Sequence, residues 1–159
     1  MMTYKFHPLS QQQSEEVADW QYEGDYSFYN MAADEDDLQE FLNPLERKDS
    51  YFAVTERHEL IGFYCFKETS GGIIDIGLGM KPSFTGKGHG LSFFKAGLDF
   101  AIVRYQPEKF TLAVAAFNER AITVYKKAGF QTDEIFLQKT NGGHYKFVKM
   151  ELVLEQQQA

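Results

Sequence analysis

The sequence predicts a mixed α/β fold with about seven strands and about four helices, in one domain over residues 1–159. Runs typical of strands alternate along the chain with segments whose apolar residues recur at helical spacing. The last two strand-like runs are joined by a short turn that contains two glycines. The length of 159 residues fits one core and is too short for two comfortable domains.

The N-terminal third predicts one strand, two helices and an aromatic loop. After a strand-like run at residues 4–7, Ser10 and Gln13 have the spacing of a capping box that opens a helix reaching about Trp20. Residues 22–30 are rich in tyrosine but lack a clean period, which predicts a loop. An acidic first turn at residues 34–37 begins the second helix, with a stop near Asn43.

The rest of the chain predicts the sheet and two further helices. One of these helices has Leu91, Phe94, Leu98 and Ala101 on its apolar face. The predicted strands cover residues 51–55, 60–66, 73–80, 110–115, 130–139 and 145–154, and the last helix covers residues 118–128.

Composition excludes several classes of function. A net charge of −7 without a basic patch disfavours binding to nucleic acids or anionic lipids. The N-terminus has no apolar run of signal-peptide or membrane length, so we expect a cytoplasmic protein. The lone Cys65 excludes an internal disulfide framework and a cysteine-rich metal site, and its apolar surroundings favour a buried hydrophobe over a nucleophile. The run Gln156–Gln158 predicts a frayed end.

The stretch Thr85-Gly-Lys-Gly-His-Gly90 places glycine at every second position between a strand and a helix. It fails the Walker spacing, since Gly88 follows Lys87, and it fails the dinucleotide fingerprint, since Leu91 stands where a third glycine is needed. Two interpretations remain. One is an anion site at the helix N-terminus, and the other is an ordinary strand-to-helix turn.

The segment from Asn118 to Phe130 predicts a capped helix. Asn118 suits the N-cap, and Gly129 suits a left-handed C-cap. Tyr125 shares the apolar face with Ala121, Val124 and Ala128, so its phenol is either a satisfied core hydroxyl or a functional group.

Together these two segments resemble the GNAT superfamily of acyl-CoA-dependent N-acetyltransferases. The family has a loop of the form Gln/Arg-x-x-Gly-x-Gly/Ala, followed later by Asn-x-x-Ala-x-x-x-Tyr-x-Lys-x-Gly-Phe. Thr85 departs from the usual Gln or Arg. The N-terminal region is most similar to bacterial members related to ribosomal-protein N-acetyltransferases. The resemblance implies a single GNAT domain with a splayed central strand.

The resemblance further implies acetyl-CoA as co-substrate, no metal, a small-molecule or peptide amine as partner, and the possibility of a homodimer. Backbone N–H groups of the glycine loop would hold the pyrophosphate, and the central strand would pair with the pantetheine arm. The implied cofactor-binding residues are Leu78, Gly79, Met80, Thr85, Gly86, Lys87, Gly88, His89, Gly90, Leu91, Asn118 and Tyr125.

The implied reaction is direct attack of a neutral amine on the thioester. Tyr125 would protonate the leaving thiolate, and a backbone N–H near Met80 would stabilise the oxyanion. Asp75, an acid inside an apolar strand, is the first candidate for the base. A water chain is another route for the proton, and the other candidate bases are Glu68, Glu134 and His144.

The resemblance also places the early aromatic residues on one wall of the acceptor cleft. The implied substrate-binding residues are Trp20, Tyr22, Tyr26 and Tyr29, with Phe28 in the same segment. The alternative is that these rings pack the two early helices. For the whole chain, the alternative to an enzyme is a module of the same fold that binds an acyl-CoA without catalysis.

Overall fold

The computed structural model describes residues 3–47 and 49–154, and within them it has a mixed α/β fold. Seven strands form one sheet in the order β1-β2-β3-β4-β5-β7-β6. The predicted fold class is confirmed. The strands are β1 (Lys5–Pro8), β2 (Tyr51–Glu56), β3 (Glu59–Ser70), β4 (Ile73–Met80), β5 (Lys109–Ala115), β6 (Gln131–Thr140) and β7 (Gly143–Val153).

The described residues contain five α-helices where about four were expected, because the single turn at Pro44–Arg47 also forms a helix. In these residues no helix is both long enough and apolar enough to span a membrane. The predicted frayed end at Gln156–Gln158 lies outside the described residues. The helices are α1 (Gln11–Ala18), α2 (Glu35–Leu42), α3 (Pro44–Arg47), α4 (Gly90–Tyr105) and α5 (Glu119–Lys127).

The predicted helix starts are confirmed by their caps. Ser10 Oγ accepts the N–H of Gln13 at 3.0 Å, and the Gln13 side chain accepts the N–H of Ser10 at 3.0 Å, which completes the capping box of α1. Asp34 caps α2 by accepting the N–H of Asp37 at 3.1 Å. Both helices therefore begin where the local sequence satisfies their first N–H groups.

The prediction of a loop for the aromatic segment is wrong in detail. Residues Gly24–Tyr29 form a 3₁₀ helix. Its bonds join the Tyr26 N–H to the Glu23 carbonyl at 3.2 Å and the Asn30 N–H to the Ser27 carbonyl at 3.0 Å. A 3₁₀ turn closes over three residues and does not need the 3.6-residue apolar period, which explains why periodicity missed it.

The chain divides into two compact units. The first contains the described residues up to Cys65 together with Leu78–Lys87 and Lys139–His144. Its strands β1, β2 and the start of β3 pair antiparallel, and the β2–β3 turn uses Arg57 and His58 at φ of 52° and 68°. Its core is an apolar cluster of Leu9, Val17, Trp20, Phe41, Ala53 and Leu60.

The second unit contains Phe66–Gly77, Gly88–Gln138 and the described residues from Tyr145 onward. In it β5 runs antiparallel to β7 and parallel to β4. On α4, Phe94, Leu98 and Ala101 are buried as predicted, but Phe93 is buried as well, whereas Leu91 is only half-buried. Leu91 lies in the first turn, where fewer neighbours cover the helix.

The central strand β4 pairs with β5 over only part of its length. The parallel register joins residues Ile73, Ile74 and Asp75 to the start of β5 and ends at the pair Asp75 and Thr111. Strand β4 nevertheless continues to Met80. An early end to the pairing is what a splayed central strand requires.

Candidate active site

The glycine loop uses a backbone conformation that favours glycine. Gly86 and Gly88 have φ of 73° and 80°, in the left-handed region that residues with a Cβ rarely adopt. A Cβ placed on Gly88 would meet no heavy atom within 4 Å. The need for glycine at position 88 therefore comes from its backbone angle, and the space beside it is open.

Helix α4 begins directly after this loop. The first turn of a helix has no internal acceptors for its N–H groups, which include those of Gly90 and Leu91. The N–H of Phe93 then reaches the His89 carbonyl at 3.0 Å. Aligned N–H groups and the positive end of the helix dipole suit an anion such as a phosphate.

Gly90 has a different reason to be glycine. A Cβ at this position would lie 3.2 Å from Cγ2 of Val124 on α5, which is tighter than ordinary van der Waals contact. Absence of a side chain thus lets the first residue of α4 approach α5 closely.

Thr85, the position that departs from the family pattern, bonds within its own turn. Its N–H and its hydroxyl both donate to the Pro82 carbonyl, at 3.2 Å and 2.7 Å. Both donors of Thr85 are therefore engaged, and the amides after Gly86 are the better candidates for holding an anion.

The end of β4 belongs to the first unit and is fixed by neighbours within that unit. A Cβ on Gly79 would lie 2.5 Å from Cε1 of Phe63, so the ring covers the strand directly. The N–H of Lys81 donates to the Ile61 carbonyl at 2.7 Å, and the Tyr22 hydroxyl donates to the Met80 carbonyl at 2.5 Å. These contacts hold the backbone of residues 78–81 in place.

Tyr22 is fixed at both its ends. Its backbone N–H donates to Oδ1 of Asn30 at 2.6 Å, and its hydroxyl reaches Met80. Burial raises the pKa of Tyr22 to about 12. The phenol is therefore protonated at neutral pH and serves as a hydrogen-bond donor.

The other aromatic candidates differ in burial. Trp20 is only 8% exposed and belongs to the core of the first unit. This agrees with the alternative that the early aromatic rings pack the helices. Tyr26, Phe28 and Tyr29 are half-buried, and the rings of Phe28 and Tyr29 meet edge to face with centroids 5.4 Å apart. The half-buried tyrosines retain surface that a ligand can reach.

Helix α5 carries the predicted acid. Tyr125 is 9% exposed, and its ring centroid lies 4.7 Å from that of Phe94 on α4. Asn118 is the N-cap of α5, and its side chain accepts the N–H of Ala121 at 3.1 Å. The capping role predicted for Asn118 is therefore present.

The C-terminal cap of α5 fixes the helix turn that carries Tyr125. Gly129 has φ of 106°, and its N–H bonds to the Lys126 carbonyl at 3.0 Å. The N–H of Phe130 bonds to the Tyr125 carbonyl at 3.0 Å, which completes a Schellman motif. The prediction of a left-handed cap at Gly129 is confirmed.

Asp75 lies at the last position where β4 pairs with β5. Its side chain is half-buried, and its Oδ1 accepts the hydroxyl of Thr111 at 2.7 Å. The other candidate bases, Glu68, Glu134 and His144, are exposed. Of the four, Asp75 has the most enclosed side chain.

Two polar contacts were missed by the sequence analysis. The hydroxyl of Tyr22 bonds to Met80, and that of Thr111 bonds to Asp75, across 58 and 36 positions of the chain. A period of two places Thr111 on the opposite face of β5 from Phe110 and Leu112, so the alternation gave no signal that Thr111 is buried.

Comparison with protein families now identifies the chain. The profile of the acetyltransferase (GNAT) domain matches residues 3–131, which is most of the sequence. The chain belongs to the GNAT acetyltransferase family. Membership confirms the predicted class, an acyl-CoA-dependent N-acetyltransferase, and with it acetyl-CoA as co-substrate. The finer likeness to ribosomal-protein N-acetyltransferases stays a prediction. A comparison with curated protein sequences finds no significant match.

Solved structures support the GNAT fold. A chimera of the spermidine N-acetyltransferase SpeG from Vibrio cholerae with hSSAT has a TM-score of 0.77 at 20% identity, covering 94% of this chain and 95% of that one. Spermidine N-acetyltransferase from Vibrio cholerae in complex with CoA and spermine has 0.74 at 18% identity, with coverage of 94% and 95%. A GNAT-family acetyltransferase from Bacillus anthracis has 0.74 at 17% identity, with coverage of 96% and 98%.

Proposed function

We propose that this GNAT chain transfers an acetyl group from acetyl-CoA to a primary amine of a small molecule or peptide, by direct attack within a single domain. The observation that carries the proposal is the family match together with the enclosed Tyr125 on a helix capped at both ends. The left-handed glycines before α4 support a place for the pyrophosphate on the amides from residue 86 onward.

The proposed chemistry divides among four groups of the chain. The backbone of residues 78–80 pairs with the pantetheine arm, and an N–H near Met80 stabilises the oxyanion. Asp75 takes the proton of the attacking amine, directly or through water. A C–N bond then forms, the C–S bond breaks, and Tyr125 gives its proton to the departing thiolate.

A cationic amine is the acceptor that the charges of the first unit favour. Three acidic residues occupy the first turn of α2, directly after its N-cap Asp34. Burial raises the pKa of Asp37, and the neighbouring carboxylates of Asp34, Glu40 and Asp36 raise it further, which adds to the negative charge of this surface. The structural neighbours named as spermidine N-acetyltransferases support polyamines as the first acceptors to test. Tyr26 and Tyr29 remain the proposed aromatic contacts of the acceptor.

The test is release of free thiol from acetyl-CoA with a panel of polyamines, peptides, amino sugars and aminoglycosides. Tyr125→Phe keeps the ring but removes the proton donor, so kcat for the best acceptor should fall by about 100-fold or more with the KM for acetyl-CoA nearly unchanged. Tyr105→Phe is the control, because it removes the hydroxyl of a half-buried tyrosine on α4 whose ring also packs against another aromatic ring.

Two outcomes contradict the proposal. Cofactor binding without thiol release above background for any amine would favour the acyl-CoA-binding module. A Tyr125→Phe variant that melts early but, while folded, turns over at the wild-type rate would make Tyr125 a core residue and leave the reaction without its proton donor.

A further inference from the structure

The aromatic segment Gly24–Tyr29 has little of its own to hold it in place. None of its six residues is buried, and its internal bonds are those of a 3₁₀ turn, whose geometry is poorer than that of an α-helix. A segment without buried side chains keeps one conformation only where contacts from outside fix it. Tyr26 and Tyr29, the proposed acceptor contacts, therefore depend on such contacts for their positions.

Asn30 fixes the base of this segment. Its Oδ1 accepts the N–H of Tyr22 at 2.6 Å, and its Nδ2 donates to Oε1 of Gln21 at 3.1 Å. The chain before the segment is thereby joined to the residue that follows it. Because Tyr22 also bonds to Met80, the base of the segment is tied to the end of β4.

A second set of bonds holds the segment from the turn between β6 and β7. Nδ2 of Asn141 donates to the Phe28 carbonyl at 2.8 Å. The backbone N–H of Asn141 and the Thr140 hydroxyl both donate to Oδ2 of Asp34, each at 3.1 Å. The other oxygen of Asp34 caps α2 through the N–H of Asp37. Asp34, Thr140 and Asn141 thus form a clasp that joins α2, the turn and the aromatic segment, all within the first unit.

We propose that this clasp fixes the aromatic segment in the geometry that binds the acceptor amine, which makes Asn141 a positioning residue for the acceptor. The inference rests on the proposed function, with Tyr26 and Tyr29 as acceptor contacts. Asn141 holds the segment at the carbonyl of Phe28, whose ring meets that of Tyr29 edge to face. Rings that are already fixed lose less conformational entropy when a ligand binds, so the clasp raises the affinity for the acceptor through them.

Asn141→Gly isolates the bond to the Phe28 carbonyl. It removes the side-chain donor but keeps the backbone N–H that reaches Asp34, and glycine adopts the φ of 52° at this position without strain. Gly142→Asn is the matched control. It places the same side chain one position later, at φ of 77°, where a Cβ meets no heavy atom within 4 Å and asparagine tolerates the backbone angle.

Thr140→Val is a second variant of the clasp. It removes the hydroxyl that donates to Asp34 and keeps the shape of the side chain, so it tests the clasp even where Asn141→Gly folds poorly. Circular dichroism shows which variants are folded at the temperature of the measurements.

Two measurements on the full-length chain test the proposal. In hydrogen exchange followed by mass spectrometry, residues 22–30 of Asn141→Gly should exchange at least about threefold faster than in the wild type, because a hydrogen bond of ordinary strength is lost. In the thiol-release assay, the KM for the best acceptor should rise at least about threefold, with the KM for acetyl-CoA changing less than about twofold. Thr140→Val should shift both readouts in the same direction, and Gly142→Asn should shift neither.

The results separate this inference from the proposed function. Unchanged exchange in residues 22–30 of both clasp variants would overturn the clasp, whatever the enzyme does. Faster exchange with an unchanged acceptor KM, or with equal rises in both KM values, would overturn the positioning role and leave the proposed function intact. A wild-type chain that releases no thiol with any amine would contradict the proposed function and with it the acceptor role, while the exchange rates would still decide whether the clasp fixes the segment.

Discussion

Removing the hydroxyl of Tyr22 tests whether the bond to the Met80 carbonyl stabilises the end of β4. The oxygen atoms are 2.5 Å apart, and the tyrosine is half-buried. In Tyr22→Phe the carbonyl loses its partner while the ring still fills its space. Because leaving a partly buried acceptor unpaired costs about 1–2 kcal/mol, we expect the free energy of unfolding at neutral pH to fall by that amount.

The same substitution should change the alkaline stability of the protein. Burial raises the pKa of Tyr22 from 10.0 to about 12 in the folded state. Between these values the unfolded chain loses the proton while the folded chain keeps it, so stability falls as the pH rises. Two pKa units correspond to about 2.7 kcal/mol, and the phenylalanine variant lacks this loss. The deficit of the variant at pH 7 should therefore shrink or reverse above pH 10.

Urea unfolding from pH 7 to pH 11 measures both effects, and absorbance at 295 nm follows phenol ionisation. The variant should have one fewer phenol that ionises only at raised pH. Tyr51, whose pKa is also raised by burial, should still ionise in that way. Tyr105→Phe, which removes a hydroxyl from a ring packed on Phe66, is again the control. Equal stability of the Tyr22 variant and the wild type across this range would refute the reasoning.

Three further substitutions probe the caps and the loop. Gly129→Ala should cost about 1–2 kcal/mol by urea unfolding because φ is 106°, whereas Gly71→Ala, with ordinary φ and open space, should change stability by less than about 0.5 kcal/mol. Asp34→Asn should lower the free energy of unfolding most at pH 7 and least in acid. Backbone N–H donors lower the pKa of Asp34, so the stability that its carboxylate contributes is lost as the pH falls through this lowered pKa. In calorimetry, Gly88→Val should weaken coenzyme A binding by at least about tenfold, and the exposed Lys87→Ala far less; equal losses would contradict an amide-based site.

Sequence patterns predicted the parts of this fold that are determined locally. The cap at Ser10, the cap at Asn118 and the left-handed turn at Gly129 each depend on residues within four positions of one another. Their side chains and backbone angles satisfy groups of the same helix, so no tertiary information was required. The same holds for the turn between β6 and β7, where Asn141 and Gly142 have φ of 52° and 77°.

Contacts between distant positions were not predictable in this way. Asp34 caps α2, but it also accepts the N–H of Asn141 at 3.1 Å, 107 positions later. Arg47 is buried and donates to the Phe41 carbonyl at 2.6 Å and to Gln11 at 2.7 Å, although nothing in its local sequence distinguishes it from a surface arginine. These partners come together only through the packing of elements, which a pattern of nearby residues does not specify.

The three glycines of the loop have separate physical reasons, and this affects how the family motif is interpreted. Gly86 and Gly88 supply left-handed backbone angles, whereas Gly90 removes a side chain that would crowd Val124. Each reason holds without any ligand, so alternate glycines alone do not distinguish an anion site from a well-built turn. The helix of 16 residues that follows is common to both interpretations, but its first N–H groups need acceptors that the helix does not supply, which supports the proposed phosphate site. A phosphate meets that need, and the open space at Gly88 leaves it room to approach.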